Sequence, residues 1–177
     1  MFLKALAFLS FVLASAVQSG PSDELFDKLK NAVGEREVAM AEADIMSAWM
    51  DSGSPTIDLL MSRADEAMAS GDTEHARALY DRCILIKPDY PEAWNRRAAL
   101  FLADDKFDEA LRDINEVLSL EPRHFGAWTG LGLIMEQLGA QSEALDAYQE
   151  ALEIHPNLQA AKQAAAKLKP KSAGQAL

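Results

Sequence analysis

Apolar residues recur every three or four positions along most of the chain, which is the spacing of one face of an α-helix. In the middle of the chain they form two runs, Trp94, Ala98 and Phe101, followed by Ala110 and Ile114. A Gly or Asp separates the two runs of each such unit, and a proline follows the second run. Glycine readily ends a helix in a left-handed conformation, and proline cannot continue one. The pattern therefore predicts pairs of helices joined by tight turns.

This pattern returns at intervals of 34 residues. Equivalent positions hold similar residues, namely Leu60, Trp94 and Trp128; Ala64, Ala98 and Gly132; Gly71, Asp105 and Gly139; Ala76, Ala110 and Ala144; and Pro88, Pro122 and Pro156. We predict three helical hairpins over 57–90, 91–124 and 125–158. Because a single hairpin cannot bury its apolar face, the three should stack into an all-α, right-handed solenoid.

Three glycines, Gly126, Gly130 and Gly132, lie close together in the third unit. A phosphate-binding loop would need them between a strand and a helix, whereas here they fall inside a predicted helix. Gly132 occupies the position of Ala64 and Ala98 in the other units. We therefore expect close helix packing at Gly132, where a side chain larger than alanine would push the two helices apart.

The flanking segments predict further helices. Residues 17–55 contain two helical stretches, which form either a degenerate first hairpin or a separate cap. An apolar stripe in this segment is expected to pack on the first repeat: Ile45, Met46, Trp49 and Met50. Residues 159–169 predict a capping helix, because the end of a repeat array needs a polar outer face. Its apolar positions, with Leu158 just before it, should cover the third hairpin: Ala161, Ala165 and Leu168. Residues 170–177 are expected to be disordered.

The first residues have the pattern of a secretory signal. Lys4 precedes an apolar run, and Ala14-Ser15-Ala16 resembles a cleavage site. The run is too short for a membrane-spanning helix, which needs about 20 apolar residues. We expect residues 1–16 to be a cleavable signal peptide, the protein to be exported to a periplasm or secreted, and no stable membrane insertion to remain after cleavage.

The net charge and the reactive residues exclude several classes of function. The formal net charge of −11 argues against nucleic-acid binding, which needs a basic surface. The single cysteine, Cys83, lies among apolar residues, so we expect it to be buried. The three histidines form no metal-binding motif, and no nucleophile motif is present, so the sequence predicts no metal, no cofactor and no enzymatic activity.

The 34-residue unit, with Trp94, Ala98, Ala110, Ile114 and Pro122, resembles the tetratricopeptide repeat (TPR). The resemblance covers 57–156 and implies a concave groove lined by the first helix of each hairpin. Projected onto this chain, the groove residues are Met61, Asp65, Met68, Asn95, Arg96, Ala99, Leu102, Thr129, Leu133 and Glu136, and the concave wall also includes Asp58, Glu92 and Gln137. Many such units also pair an Arg on the first helix with an Asp on the second, which implies an Arg97–Asp113 pair here.

The resemblance implies a protein or peptide partner. TPR domains that bind a peptide's terminal carboxylate use several cations, whereas the matching positions here offer Arg96 alone. We expect instead an apolar segment with some basic residues. Three alternatives stay open: the N-terminal helices fold back and bury the groove, the protein works by self-association, or it is an enzyme or small-ligand binder. The sequence does not indicate the oligomeric state.

Overall fold

The computed structural model describes residues 20–168, and this part of the chain folds into nine α-helices without a strand. They are α1 (Asp23–Asn31), α2 (Glu35–Met50), α3 (Pro55–Ala69), α4 (Thr73–Ile86), α5 (Pro91–Ala103), α6 (Phe107–Leu120), α7 (Phe125–Gln137), α8 (Gln141–Ile154) and α9 (Gln159–Leu168). Within residues 20–168, no helix is both long and apolar enough to cross a bilayer. The predicted signal peptide and C-terminal tail, 1–16 and 170–177, lie outside the described residues.

Helices α3 to α8 form three stacked hairpins, and each hairpin turns at its midpoint as the repeat pattern predicts. Gly71, Asp105 and Gly139 occupy these turns with φ angles of 80°, 58° and 78°. Proline begins α3 and α5, where its missing N–H has no partner to lose. The hairpins contact one another through α4 and α5 and through α6 and α7, which gives the expected solenoid.

The two helices of the third hairpin approach each other closely at Gly132. A Cβ atom added there would lie 2.7 Å from both Cδ1 and Cζ of the buried Tyr148 ring on α8. The packing is tighter than the sequence predicts, because even an alanine side chain would overlap the ring.

Arg97 joins two hairpins through its guanidinium. Its Nε and Nη2 each donate to one carboxylate oxygen of Asp113 at 2.7 Å, which confirms the predicted pair between α5 and α6. Its Nη1 donates to Asp81 Oδ1 on α4, also at 2.7 Å. The hydrogen bond with Asp113 raises the pKa of Arg97, although burial opposes the shift. One side chain thus links the helices of the second hairpin and ties them to the first.

Cys83 lies in the core of the first hairpin, where it is fully buried among apolar side chains including Tyr80. Its predicted burial is therefore confirmed. Burial raises the pKa of the Cys83 thiol to about 11, because a thiolate would lose its hydration there.

Helix α9 covers the end of the solenoid. Ala161 and Ala165 are buried against Tyr148 and Ala151 of α8, and Leu168 packs at the margin of the same cluster. Helix α9 thus buries part of the outer surface of the third hairpin.

Helices α1 and α2 form an N-terminal hairpin that folds back over the repeats. Its own core contains Phe26, Leu29 and Ile45, and it docks against Phe125 at the start of α7. Ile45, Met46 and Trp49 of the predicted stripe therefore do not pack on the first repeat, whereas Met50 does contact it, because its carbonyl accepts from the Tyr90 hydroxyl. The chain turns after α2 at Gly53, whose φ is 67°, and α2 packs against α5 instead of stacking ahead of α3. The two helices of the hairpin pack on each other and on Phe125, a contact that lies away from the start of the first repeat.

Candidate functional site

The projected groove residues fall into three rows across α3, α5 and α7, because residues 34 apart occupy equivalent places in successive hairpins. The steps of three or four residues between rows keep all of them on one face of each helix. From the N-terminal to the C-terminal ends of the helices, the first row is Met61, Asn95 and Thr129, the second is Asp65, Ala99 and Leu133, and the third is Met68, Leu102 and Glu136. Arg96 lies beside the first row.

The side chains of the first row are already engaged in contacts within the protein. Met61 is only 2% exposed and belongs to the core of the first hairpin, so its assignment to an accessible groove is wrong. Asn95 Nδ2 donates to Glu92 Oε2 at 3.1 Å. Thr129 Oγ1 donates to the carbonyl oxygen of Phe125 in its own helix at 2.8 Å. This end of the wall therefore offers little to a partner.

A buried Glu92–His124 pair lies beneath this end. His124 Nδ1 accepts from the Ala127 amide at 3.0 Å, so the ring proton is on Nε2, which lies 3.2 Å from Glu92 Oε2. Burial alone would raise the pKa of Glu92. The hydrogen bond from His124 and the charge of Arg96 outweigh burial, so the pKa of Glu92 is lowered. The sequence placed Glu92 on the concave wall and gave no signal of its burial.

Arg96, the cation expected in the groove, is held by neighbouring groups. Its Nε donates to Glu92 Oε1 at 3.0 Å, and its Nη1 lies 3.4 Å from Asp65 Oδ1. Its Nη2 also lies 3.4 Å from the sulfur of Met50 on α2. The carboxylate of Glu92 raises the pKa of Arg96 despite the opposing effect of burial. A guanidinium neutralised in this way is poorly suited to binding a peptide's carboxylate.

The N-terminal hairpin covers the same end of the wall. Trp49 stacks on His124 with ring centroids 4.1 Å apart, and it lies 4.9 Å from the ring of Phe125. The Tyr90 hydroxyl donates to the carbonyl oxygen of Met50 at 3.2 Å. After the helix, the Ser52 hydroxyl donates to Asp58 on α3. The N-terminal hairpin therefore folds back onto the starts of α5 and α7, but it does not bury the predicted groove side chains: Met61 packs in the core of the first hairpin, and Met68 and Leu133 stay exposed.

The second and third rows remain accessible toward the C-terminal ends of these helices. Met68 is 39% exposed and Leu133 is 42% exposed. Ala99 is also exposed, Leu102 is half-buried, and so are the two carboxylates that flank them, Asp65 and Glu136. We call these six residues the exposed strip. It is a mainly apolar surface with an acid at each end, which suits an apolar segment that carries positive charge.

Glu136 is fixed in place by a contact from the second helix of its hairpin. The Tyr148 hydroxyl donates to Glu136 Oε1 at 2.5 Å. Burial raises the pKa of Tyr148, and the Glu136 hydrogen bond adds to that shift, so the phenol stays protonated as a donor. Within residues 20–168, no cluster of three or more His, Cys, Asp and Glu side chains converges as a metal site would.

Comparison with known proteins decides the family. Two family models described as tetratricopeptide repeat match residues 57–100 and 100–159. A TPR repeat-containing protein of Rhizobium etli is 38% identical over 152 residues, which covers 86% of this chain and 74% of that protein. The chain belongs to the TPR family. This TPR protein is also 28% identical over 138 residues to the heat-shock cognate co-chaperone sgt12 of Aspergillus fumigatus, but spans only 40% of its length.

Solved TPR domains share the fold. The Sgt2 TPR domain of Aspergillus fumigatus matches with a TM-score of 0.61 and 28% identity over 66% of this chain and 78% of that domain. The second TPR domain of human RPAP3, solved with the HSP70 peptide SGPTIEEVD, matches with a TM-score of 0.59 and 24% identity over 63% of this chain and 93% of that domain. At that identity the second match bears on the fold alone.

Proposed function

We propose that this TPR protein is a non-catalytic interaction scaffold or assembly adaptor, and that its exposed strip binds an apolar segment of a partner protein that also carries basic residues. The observation behind the proposal is the continued exposure of Met68 and Leu133 on a wall whose other end is covered. Apolar side chains grouped on one surface commonly mark a binding site, and methionine adapts to varied partners.

The charges of the wall favour this partner over an acidic peptide. The peptide in the RPAP3 complex ends in EEVD, which is acidic. Here Arg96 is neutralised by Glu92 and Asp65, and the strip ends at Glu136. An acidic segment would meet carboxylates of the same sign, whereas a basic one would be attracted to them.

The test compares two charge variants of the same chain in crosslinking and affinity capture from cells of the source organism. A triple Met68→Asp, Leu102→Asp, Leu133→Asp variant should lose the captured partners. A Leu85→Asp variant is the matched control, since Leu85 is 82% exposed on α4, outside the strip. Equal recovery by wild type and both variants would contradict the proposal.

Light scattering of the same samples tests self-association. If the wild type forms an oligomer and the triple variant is monomeric, the partner of the strip is a second copy of the chain.

We further propose that the protein is exported, to a periplasm or outside the cell. The support is the signal-like pattern of residues 1–16, which lie outside the described residues. Mass spectrometry of the protein purified from its own cells should find a mature N-terminus after Ala16. An intact N-terminus on cytoplasmic protein would contradict export.

A further inference from the structure

A cleft that is distinct from the exposed strip lies where the N-terminal hairpin meets the turns that connect the three repeats. It has a volume of about 670 Å³ and is lined by the start of α1, the end of α2 and the turns before α5 and α7. None of its lining residues belongs to the exposed strip. We propose that this cleft is a separate binding site for an extended peptide segment that carries a lysine or arginine.

The cleft has an apolar lining that can hold the aliphatic part of such a side chain. Trp49 and Tyr90 lie in its wall and are almost fully buried, while Leu120 stands exposed beside them. Long cationic side chains commonly lay their methylene groups along apolar surface and keep the charged end at a polar edge.

The polar edge of the cleft is acidic. Four carboxylates line it, those of Asp23, Asp51, Asp89 and Glu121, against a single guanidinium, that of Arg123. This guanidinium is already bound, since its Nη1 donates to Asp23 Oδ1 at 2.6 Å and its Nε lies 3.4 Å from Glu121 Oε1. Asp89 is paired as well, since Lys87 Nζ donates to its Oδ1 at 3.1 Å, so Asp51 is the lining carboxylate without an ion pair among residues 20–168. The lining still carries a net negative charge, which would attract a cation.

An unused hydrogen-bond donor points to a peptide backbone as the occupant. Trp49 is 4% exposed, and its Nε1–H has no acceptor among residues 20–168. By contrast, the indoles of Trp94 and Trp128 donate to the carbonyl oxygens of Pro88 and Pro122 at 2.9 and 2.8 Å. A carbonyl group of an extended peptide in the cleft would supply the missing acceptor. The atom is covered by protein, so binding must shift the Trp49 ring.

That shift makes fluorescence a direct readout. The chain has three tryptophans, so Trp94→Phe with Trp128→Phe leaves Trp49 as the only indole. The full chain with these changes is titrated with an acetylated and amidated octapeptide of alanine, leucine and two lysines. The expected result is a saturable change in Trp49 emission. Calorimetry on the unmodified chain gives the affinity independently if the double variant folds poorly.

The variants locate the site. Asp51→Asn with Asp89→Asn should weaken binding about tenfold, the effect of losing roughly 1.4 kcal/mol, whereas Asp104→Asn with Asp108→Asn, outside the cleft, should not. The Met68/Leu102/Leu133 aspartate variant should bind this peptide normally, so failure here is distinguishable from failure of the exposed strip. The proposal is overturned if the lysine-acetylated peptide binds equally well, if both pairs of asparagine variants behave alike, or if spermidine alone matches the peptide.

Discussion

Gly132 lies against the Tyr148 ring, where α7 packs on α8. Gly130, half a turn earlier on α7, shows what the same substitution by alanine would do at a less crowded position. A Cβ atom at Gly130 would lie 3.2 Å from Ile114 Cδ1, the mobile end of a side chain, whereas at Gly132 it would overlap an aromatic ring. Both glycines lie within a helix, so an alanine gains the same helix propensity at either position. The difference between the two substitutions therefore isolates the cost of the overlap.

We expect Gly132→Ala to be less stable than Gly130→Ala by about 1–3 kcal/mol, the usual cost of overpacking a core. Urea unfolding followed by circular dichroism measures both variants. Equal midpoints would mean that the Tyr148 ring moves aside without cost, and that close packing at Gly132 is not a constraint.

At the scale of elements, Trp49 is one of the buried contacts between the N-terminal hairpin and the repeats, since it packs against both His124 and Phe125. Truncating a buried tryptophan to alanine typically costs about 3–5 kcal/mol. We expect Trp49→Ala to release the hairpin while the repeats stay folded. Amide hydrogen exchange should then speed up in α1 and α2 and remain slow in α3 to α8.

Met40→Ala is the control for this prediction, because Met40 lies on the same helix and is largely exposed. It should leave the exchange pattern unchanged. Uniform loss of protection across all helices in Trp49→Ala would instead mean that the hairpin and the repeats unfold as one unit.

A second hairpin contact predicts sensitivity to acid. His155 is buried against Phe125 and lies 3.5 Å from Glu42 on α2, with Lys162 on α9 also nearby. Burial lowers the pKa of His155 below its ordinary value of 6.5, and Lys162 adds to this, although Glu42 opposes it. The unfolded chain then takes up the proton more readily than the folded chain, so the stabilisation from His155 is complete above pH 6.5 and declines as the pH falls below that value.

We therefore expect the free energy of unfolding to fall more steeply between pH 7.5 and 5.5 in the wild type than in His155→Gln. Denaturant titrations across this range give the slope. His75→Gln provides the comparison, since His75 is exposed on α4 and its loss should preserve the wild-type slope. Parallel slopes for wild type and His155→Gln would rule out the buried imidazole as the cause.

At the scale of the whole molecule, α9 closes an array that would otherwise end on an apolar surface. A chain ending at Leu158 lacks the helix that covers Tyr148 and Ala151. We expect this chain to self-associate, since a terminal repeat needs a polar outer face. Light scattering should give a larger particle than for a chain ending at Leu168, and identical masses would show that α9 is dispensable.

The repeats were predictable from sequence because their signals are local and recur. The 34-residue spacing marks the hairpins, and the turn residues Gly71, Asp105 and Gly139 mark their midpoints. The pairing of Arg97 with Asp113 followed from the family resemblance. The second partner of Arg97, Asp81, did not, because it lies on the preceding hairpin and depends on how the hairpins stack.

The position of the N-terminal hairpin could not be predicted from the sequence. An apolar stripe indicates that α2 must be covered but not by what, and Trp49 meets His124 far along the chain. The same uncertainty affected the groove. Its rows follow from the repeat, but the burial of Met61 and Glu92 depends on packing and on the segment that folds over the wall.

The reactivity of the single thiol reports local opening of the first hairpin. Cys83 is sealed in the first hairpin and its pKa is about 11, so an alkylating reagent at neutral pH can react only when that hairpin opens. The rate of iodoacetamide modification, followed by mass, should therefore be proportional to the fraction of molecules in which the first repeat is open. A bound partner that clamps the array would slow that rate without touching the sulfur.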